Sequence, residues 1–142
     1  MASVIFNRFF MALGLGLINL DTDAVRVSLV DSGYTPVKTD TWWGTADPWA
    51  HEVTGDAYTA GGMAVANTTL VQDNTNALVK YDADDCTWTT STITAKAAVL
   101  WDSTPATKDL IACYEFTEDK SSANGNFTIQ WSASGLMEFK QG

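Results

Sequence analysis

The stretch Thr92–Trp101, TITAKAAVLW, decides the fold class. Ile93, Ala95, Ala97, Val99 and Trp101 occupy every second position. Alternation with period two puts one set of side chains on one face of a sheet. Leu110, Ala112, Tyr114 and Phe116 repeat the pattern, and so do Phe127, Ile129 and Trp131. The breaks between these runs, Asp102–Pro105 (DSTP) and Ser121–Gly125 (SSANG), carry turn residues. Upstream, Ala24–Val30 (AVRVSLV) is a strand with Val25, Val27 and Leu29 on one face. Met63–Asn67 reads as a strand that Thr68–Gln72 continues, Asp73–Asn76 as a hairpin turn, and Ala77–Asp82 as the returning strand. Thr87–Thr90 and Leu136–Lys140 complete the set. About eight or nine short strands between tight turns predict a mainly β chain, an antiparallel β-sandwich or barrel-like domain.

Two segments fall outside this rhythm. Phe9–Leu20 (FFMALGLGLINL) is apolar and follows the single positive charge of Arg8. It imitates a signal peptide, but no clear small-x-small cleavage site follows, and it is too short to span a bilayer. Asn7–Leu15 is expected to form a short helix capped by Asn7 and ended by Gly14 and Gly16. Residues 1–20 are therefore expected to be an arm or short helix packed on the domain or on a neighbour, and residues 21–142 a single β domain. Thr39–Thr54 holds Trp42, Trp43, Pro48, Trp49 and His51 with no sustained period. It reads as a long Trp-rich loop with a helical turn after Asp47, Pro48 taking the first helical position.

The bulk numbers exclude several functions. A chain of 142 residues buries a real core without metals or disulfides. A net charge of −9 argues against nucleic acid and against an anionic membrane, because both need a basic face. The two cysteines, Cys86 and Cys113, lie in no CxxC motif and read as small, buried and reduced. His51 is the only histidine; with Glu52 beside it, it could act as a general base, yet it cannot make a zinc site alone. Asp21 and Asp23, and Asp82, Asp84 and Asp85, follow no EF-hand spacing and read as solvated strand ends rather than calcium ligands. Gly61-Gly62 lacks a phosphate-loop ending and reads as a bulge or tight turn. No nucleophile–base pair can be named, so no enzyme, cofactor or metal is expected. Six tryptophans exceed the needs of a small core, so some belong to a contact surface.

Three segments together carry a resemblance. They are Leu20–Pro36 (LDTDAVRVSLVDSGYTP); His51–Val65 (HEVTGDAYTAGGMAV) with Val79–Asp102 (VKYDADDCTWTTSTITAKAAVLWD); and Ser121–Phe139 (SSANGNFTIQWSASGLMEF). The "EV-G--YTAGG", "D-DD-TW" and "NG-FTIQW---G" patterns resemble a group of small tailed-bacteriophage virion proteins. The resemblance implies a capsid decoration (cement) protein on the virion surface, made in the host cytoplasm. Its partners would be the major capsid protein and copies of itself, a trimer above all, with no catalytic residues. Such a protein needs a rigid domain and an apolar grip. Phe6, Phe9, Phe10 and Leu13 are the candidate anchor, and Trp42, Trp43 and Trp49 a second contact. The alternatives are a tail- or fibre-associated adaptor, or a carbohydrate-binding β module that stacks sugars on its tryptophans.

Overall fold

The computed structural model describes residues 2–140. It is mainly β, with antiparallel sheets in a sandwich-like arrangement and one short N-terminal helix. The strands are β1 (Ala2–Ile5), β2 (Val25–Val30), β3 (Met63–Ala64), β4 (Thr69–Asp73), β5 (Leu78–Asp82), β6 (Cys86–Ser91), β7 (Thr94–Asp102), β8 (Leu110–Ser121), β9 (Gly125–Ile129) and β10 (Met137–Lys140). The helix α1 spans Asn7–Gly14. The main sheet has the order β1-β8-β7-β2-β3. A three-stranded sheet, β10-β5-β4, and the pair β6-β9 pack on one of its faces.

The main sheet is apolar on both faces. Val25, Val27, Leu29, Ala98, Leu100 and Ala112 point towards the second layer, where they meet Tyr81, Trp88, Phe127, Leu136 and Met137. Val30, Ala97, Val99, Trp101 and Cys113 point the other way and are covered by Phe6, Tyr34 and Trp43. The long loop after β2 is thus a lid on the second face. The helical turn expected after Asp47 is a 3-10 turn at Trp49–His51, with Pro48 directly before it.

The strict alternation expected of Ile93–Trp101 does not hold along its whole length. The β7–β8 register shifts between Ala95 and Ala97. Ile93 and Ala95 therefore join Ala98 and Leu100 in one cluster, while Ala97, Val99 and Trp101 fill the other. A second shift, between Leu100 and Trp101, makes Ile111 the extra residue in β8. Leu110 then lies on the opposite side from Ala112 and Tyr114. The first shift sets two steps along β7 against five along β8 and the second sets one against two; both offsets are odd, so the facing flips beyond each.

The N-terminal segment differs from expectation as well. Before the helix runs β1, an edge strand that pairs with β8 through Ser3↔Tyr114, Val4↔Cys113 and Ile5↔Ala112. The N-cap position belongs to Phe6, not Asn7, and no side chain caps the helix. The Asn7 N–H is instead satisfied by the Lys38 carbonyl at 2.9 Å. Met63–Gln72 is not one strand: the chain breaks between Ala64 and Thr69, with Asn67 at φ 52°. Both cysteines are buried thiols, and burial pushes Cys86 up to about 11 and Cys113 up to about 12.

Phe6 and Phe9 are completely buried, one in each apolar cluster. Their reading as exposed anchors is therefore corrected: they are core. Phe6→Ala and Phe9→Ala are each expected to lower stability by about 3–5 kcal/mol through the cavity left behind. Removal of residues 1–14 should abolish cooperative unfolding, while Phe10→Ala should change stability by less than about 0.5 kcal/mol. Urea denaturation of the purified chains checks all four.

Candidate functional site

The helix and the Trp-rich loop meet at a buried ion pair. The segment Thr41–Trp43 runs beside Lys108–Leu110: Trp43 N–H donates to the Lys108 carbonyl at 2.9 Å and Leu110 N–H to the Thr41 carbonyl at 3.0 Å. This seats the fully buried Asp109 carboxylate under α1. Arg8 donates from Nε to Asp109 Oδ1 at 2.7 Å, and Thr107 Oγ1 donates to Oδ2 at 3.1 Å. The Arg8 guanidinium lies 5.7 Å from the Trp42 ring centre, within cation–π range. Trp42 faces outward, whereas Trp43 turns inward and stacks on Trp101 at 5.5 Å and 10°. Trp101 in turn donates from Nε1 to Ser28 Oγ at 2.9 Å.

Beside this junction α1 carries an exposed apolar stripe. Asn7, Phe10, Met11, Gly14 and Leu15 follow the i, i+3, i+4 spacing and form the exposed stripe of α1. Phe10, Met11 and Leu15 are each more than half exposed, at 58%, 56% and 57%. Leu17, Val37, Trp42 and Trp49 are exposed too, and no charged residue lies between Arg8 and Asp21. Of the seven residues expected to form contacts, Phe10, Trp42 and Trp49 are on the surface. Leu13 is partly buried against the core, and Phe6, Phe9 and Trp43 are inside it. Trp43 is corrected with the two phenylalanines, since a ring stacked under the loop cannot reach a partner. Sequence reasoning missed Met11, Leu15, Leu17 and Val37. The available signal was a helix apolar on both faces, only one of which the domain can bury.

The other candidate chemical groups are engaged in ion pairs and hydrogen bonds. His51 sits between two carboxylates, Nδ1 at 3.3 Å from Asp31 and Nε2 at 3.4 Å from Asp47, and stacks near Tyr34. Glu52 does not face it. Its Oε1 accepts from Tyr58 Oη at 2.8 Å and from Gly61 N–H at 2.6 Å. Arg26 then donates to the Gly61 and Gly62 carbonyls. Gly62 stands at φ 69° with its Cα against the Val27 carbonyl, and Gly55 abuts the Thr92 carbonyl; neither place has room for a Cβ. The "EV-G--YTAGG" residues are thus one hydrogen-bonded corner. Asp84 and Asp85 are likewise engaged: Asp84 accepts from Asn67, and Asp85 from Trp131 N–H at 2.9 Å. Among the described residues no group of three or more His, Cys, Asp or Glu is placed to hold a metal ion.

A groove beside β9 is lined by Tyr114, Phe116, Phe127 and Trp131. Its polar tips are already used, Tyr114 Oη by the Leu136 carbonyl and Trp131 Nε1 by the Asp84 carbonyl at 3.1 Å. One buried polar pair is incompletely satisfied. Asp102 Oδ1 accepts from Thr104 N–H at 2.9 Å, while Asp102 Oδ2 and Tyr81 Oη have no hydrogen-bond partner among the described residues. Burial, with Asp23 adjacent, pushes the Asp102 carboxyl up to about 7. No protein-family model, curated protein or solved structure matches the chain, and no helix among the described residues is long and apolar enough to cross a membrane.

Both buried carboxylates have measurable consequences. Arg8→Ala leaves Asp109 unpaired and is expected to cost about 3–5 kcal/mol, measured by denaturant titration. Asp102 holds a proton in the folded chain between its ordinary value of 3.8 and about 7. The folded state binds more protons in that window, so this group's contribution to stability falls as pH rises through it. Asp102→Asn should remove that slope and raise the melting temperature at pH values above the window, as thermal scans across pH will show.

Proposed function

We propose that this chain is a bacteriophage virion structural protein, a capsid decoration protein that binds the major capsid protein lattice. The observation that carries a binding role is the exposed α1 stripe with its neighbours Leu17, Val37 and Trp42. In a chain with nine excess negative charges, the whole segment between Arg8 and Asp21 carries none. Buried against a partner, such area is worth about 25 cal/mol per Å². The resemblance of three long segments to small tailed-bacteriophage virion proteins suggests the partner class. The residues behind that resemblance also fit a structural protein, because Glu52, Tyr58, Gly62, Asp84, Asp85 and Trp131 tie loops together. In this reading the protein performs no chemistry and needs no cofactor.

The N-terminal segment has a double role here. One side of α1, with Phe9 and Ala12, completes the domain core. The other side, with Phe10, Met11 and Leu15, is the grip. Because Arg8 is clamped between Asp109 and Trp42, the grip is fixed to the domain before it meets a partner, and little ordering entropy is lost on docking. Weak contacts of this kind gain strength when many copies bind one lattice.

Reconstruction of the intact virion at side-chain resolution tests the reading. Ordered copies on the capsid surface, with Phe10, Met11 and Leu15 against the shell, are the expected result. The double variant Phe10→Asp, Leu15→Asp should fold as the parent does and lose more than about tenfold in affinity for shells lacking the protein. Copies confined to the tail would replace this reading with the adaptor one. Absence from the particle would overturn both and turn attention to glycan titration of Trp42 and Trp49.

A further inference from the structure

The hairpin of β4 and β5 leaves one strand edge uncovered. Among the described residues strand β4 pairs with β5 alone, and Leu70, Val71 and Gln72 are all exposed, Val71 at 53%. Protein edges are commonly blunted by a lysine, a proline or a bulge. Strand β4 (TLVQD) has no lysine or proline, and its pairing with β5 runs without a register shift. Both faces of its centre are apolar, since Leu70 and Val71 point to opposite sides of the sheet.

The direction of the free backbone groups can be read from the neighbouring strand. The Tyr81 carbonyl accepts from Leu136 N–H at 2.9 Å, so the Tyr81 backbone faces β10. Tyr81 is the register partner of Leu70. In an antiparallel pair a residue turned to one neighbour does not bond the other. Leu70 therefore turns its N–H and C=O away from β5, and Gln72, two residues on, does the same. An edge with outward groups at Leu70 and Gln72, and Val71 between them, is its own antiparallel complement.

We propose that β4 is the contact between two copies of this chain, paired antiparallel about a two-fold axis at Val71. Leu70 of each copy faces Gln72 of the other, and each such pair exchanges an N–H···O=C bond in both directions. Val71 meets its own equivalent at the axis, where side chains of a non-hydrogen-bonded pair lie closest. The charges fit this register. Asp73, the only ionised residue of β4, falls opposite the uncharged Thr69 of the other copy and not opposite a carboxylate. Its own carboxylate is held by Thr75 and Asn76, whose hydrogen bonds keep it below the usual carboxylate range. The result is a continuous six-stranded sheet, β10-β5-β4 joined to its copy. The contact does not obstruct the α1 face, because α1 reaches this sheet at Phe139 of β10, two strands from the β4 edge. The inference does not rest on the capsid reading.

Light scattering on the purified full chain, with four variants, tests it. The parent should show twice the chain mass, and Val71→Lys, which sets two ammonium groups on the axis, should show a single chain mass with unchanged circular dichroism. Gln72→Pro removes an outward N–H without touching the β4–β5 ladder and should weaken the pair likewise. Under mild oxidation Val71→Cys should form an interchain disulfide, which Thr89→Cys, at an exposed position of β6, should not. A single chain mass for the parent at every concentration, a three-copy mass, or a dimer that survives Val71→Lys would each overturn the proposal. Failure of Val71→Cys to cross-link in a parent-like dimer would place the contact elsewhere.

Discussion

Ala97, Ala98, Val99, Leu100 and Trp101 give β7 apolar side chains on both faces, and neither face can be left in water. This constraint orders the rest of the molecule. One face is covered by the two smaller sheets, as in any sandwich. The other has no sheet to cover it and takes whatever apolar groups the loops provide. Phe6 reaches it from the end of β1, Tyr34 from the turn after β2, and Trp43 from the Trp-rich loop. The loop therefore has a defined course. Trp43 on Trp101 fixes its middle, and His51 between Asp31 and Asp47 ties its far end.

The strands were largely legible in the sequence, because period-two runs and turn clusters are local signals. Ala24–Val30, Ala77–Asp82, Thr92–Trp101 and Leu110–Phe116 all correspond to strands in place. Facing was not legible across the whole of β7 and β8. A register shift depends on what the partner strand does, and Lys96 or Ile111 in isolation carries no mark of it. The same reason hid β1: Ser3–Ile5 is too short to show a period, and its pairing partner is remote in the chain. Among the contact candidates, composition showed that the N-terminal segment had more apolar residues than the domain could absorb. It did not show which. Phe9 and Phe10 are adjacent and chemically identical, and only the direction of α1 puts one inside and the other outside.

Trp42 and Trp43 repeat that lesson. Two adjacent indoles in an extended segment point opposite ways, so one is spent on the core and one remains at the surface. The surface indole is not idle, since it covers an ion pair that would otherwise meet solvent on one side. A buried carboxylate such as Asp109 is costly unless well paired, and here a guanidinium and a hydroxyl hold it while the Trp42 ring lies against that guanidinium. The arrangement joins helix, loop and sheet at a single point, so an apolar surface spread over separate segments behaves as one rigid body.

Arg8 and Asp109 are 101 residues apart in the chain, and β1 pairs with β8 across a similar separation. Strand β1 and helix α1 therefore leave the ribosome about a hundred residues before the strand that receives them. Over that interval Phe6 and Phe9 have no core to enter. Contacts of such long range close slowly, because the loop entropy is lost before any contact rewards it. A nascent chain of this design carries an exposed aromatic segment until β8 arrives, which makes the interval before closure the period of greatest exposure to aggregation.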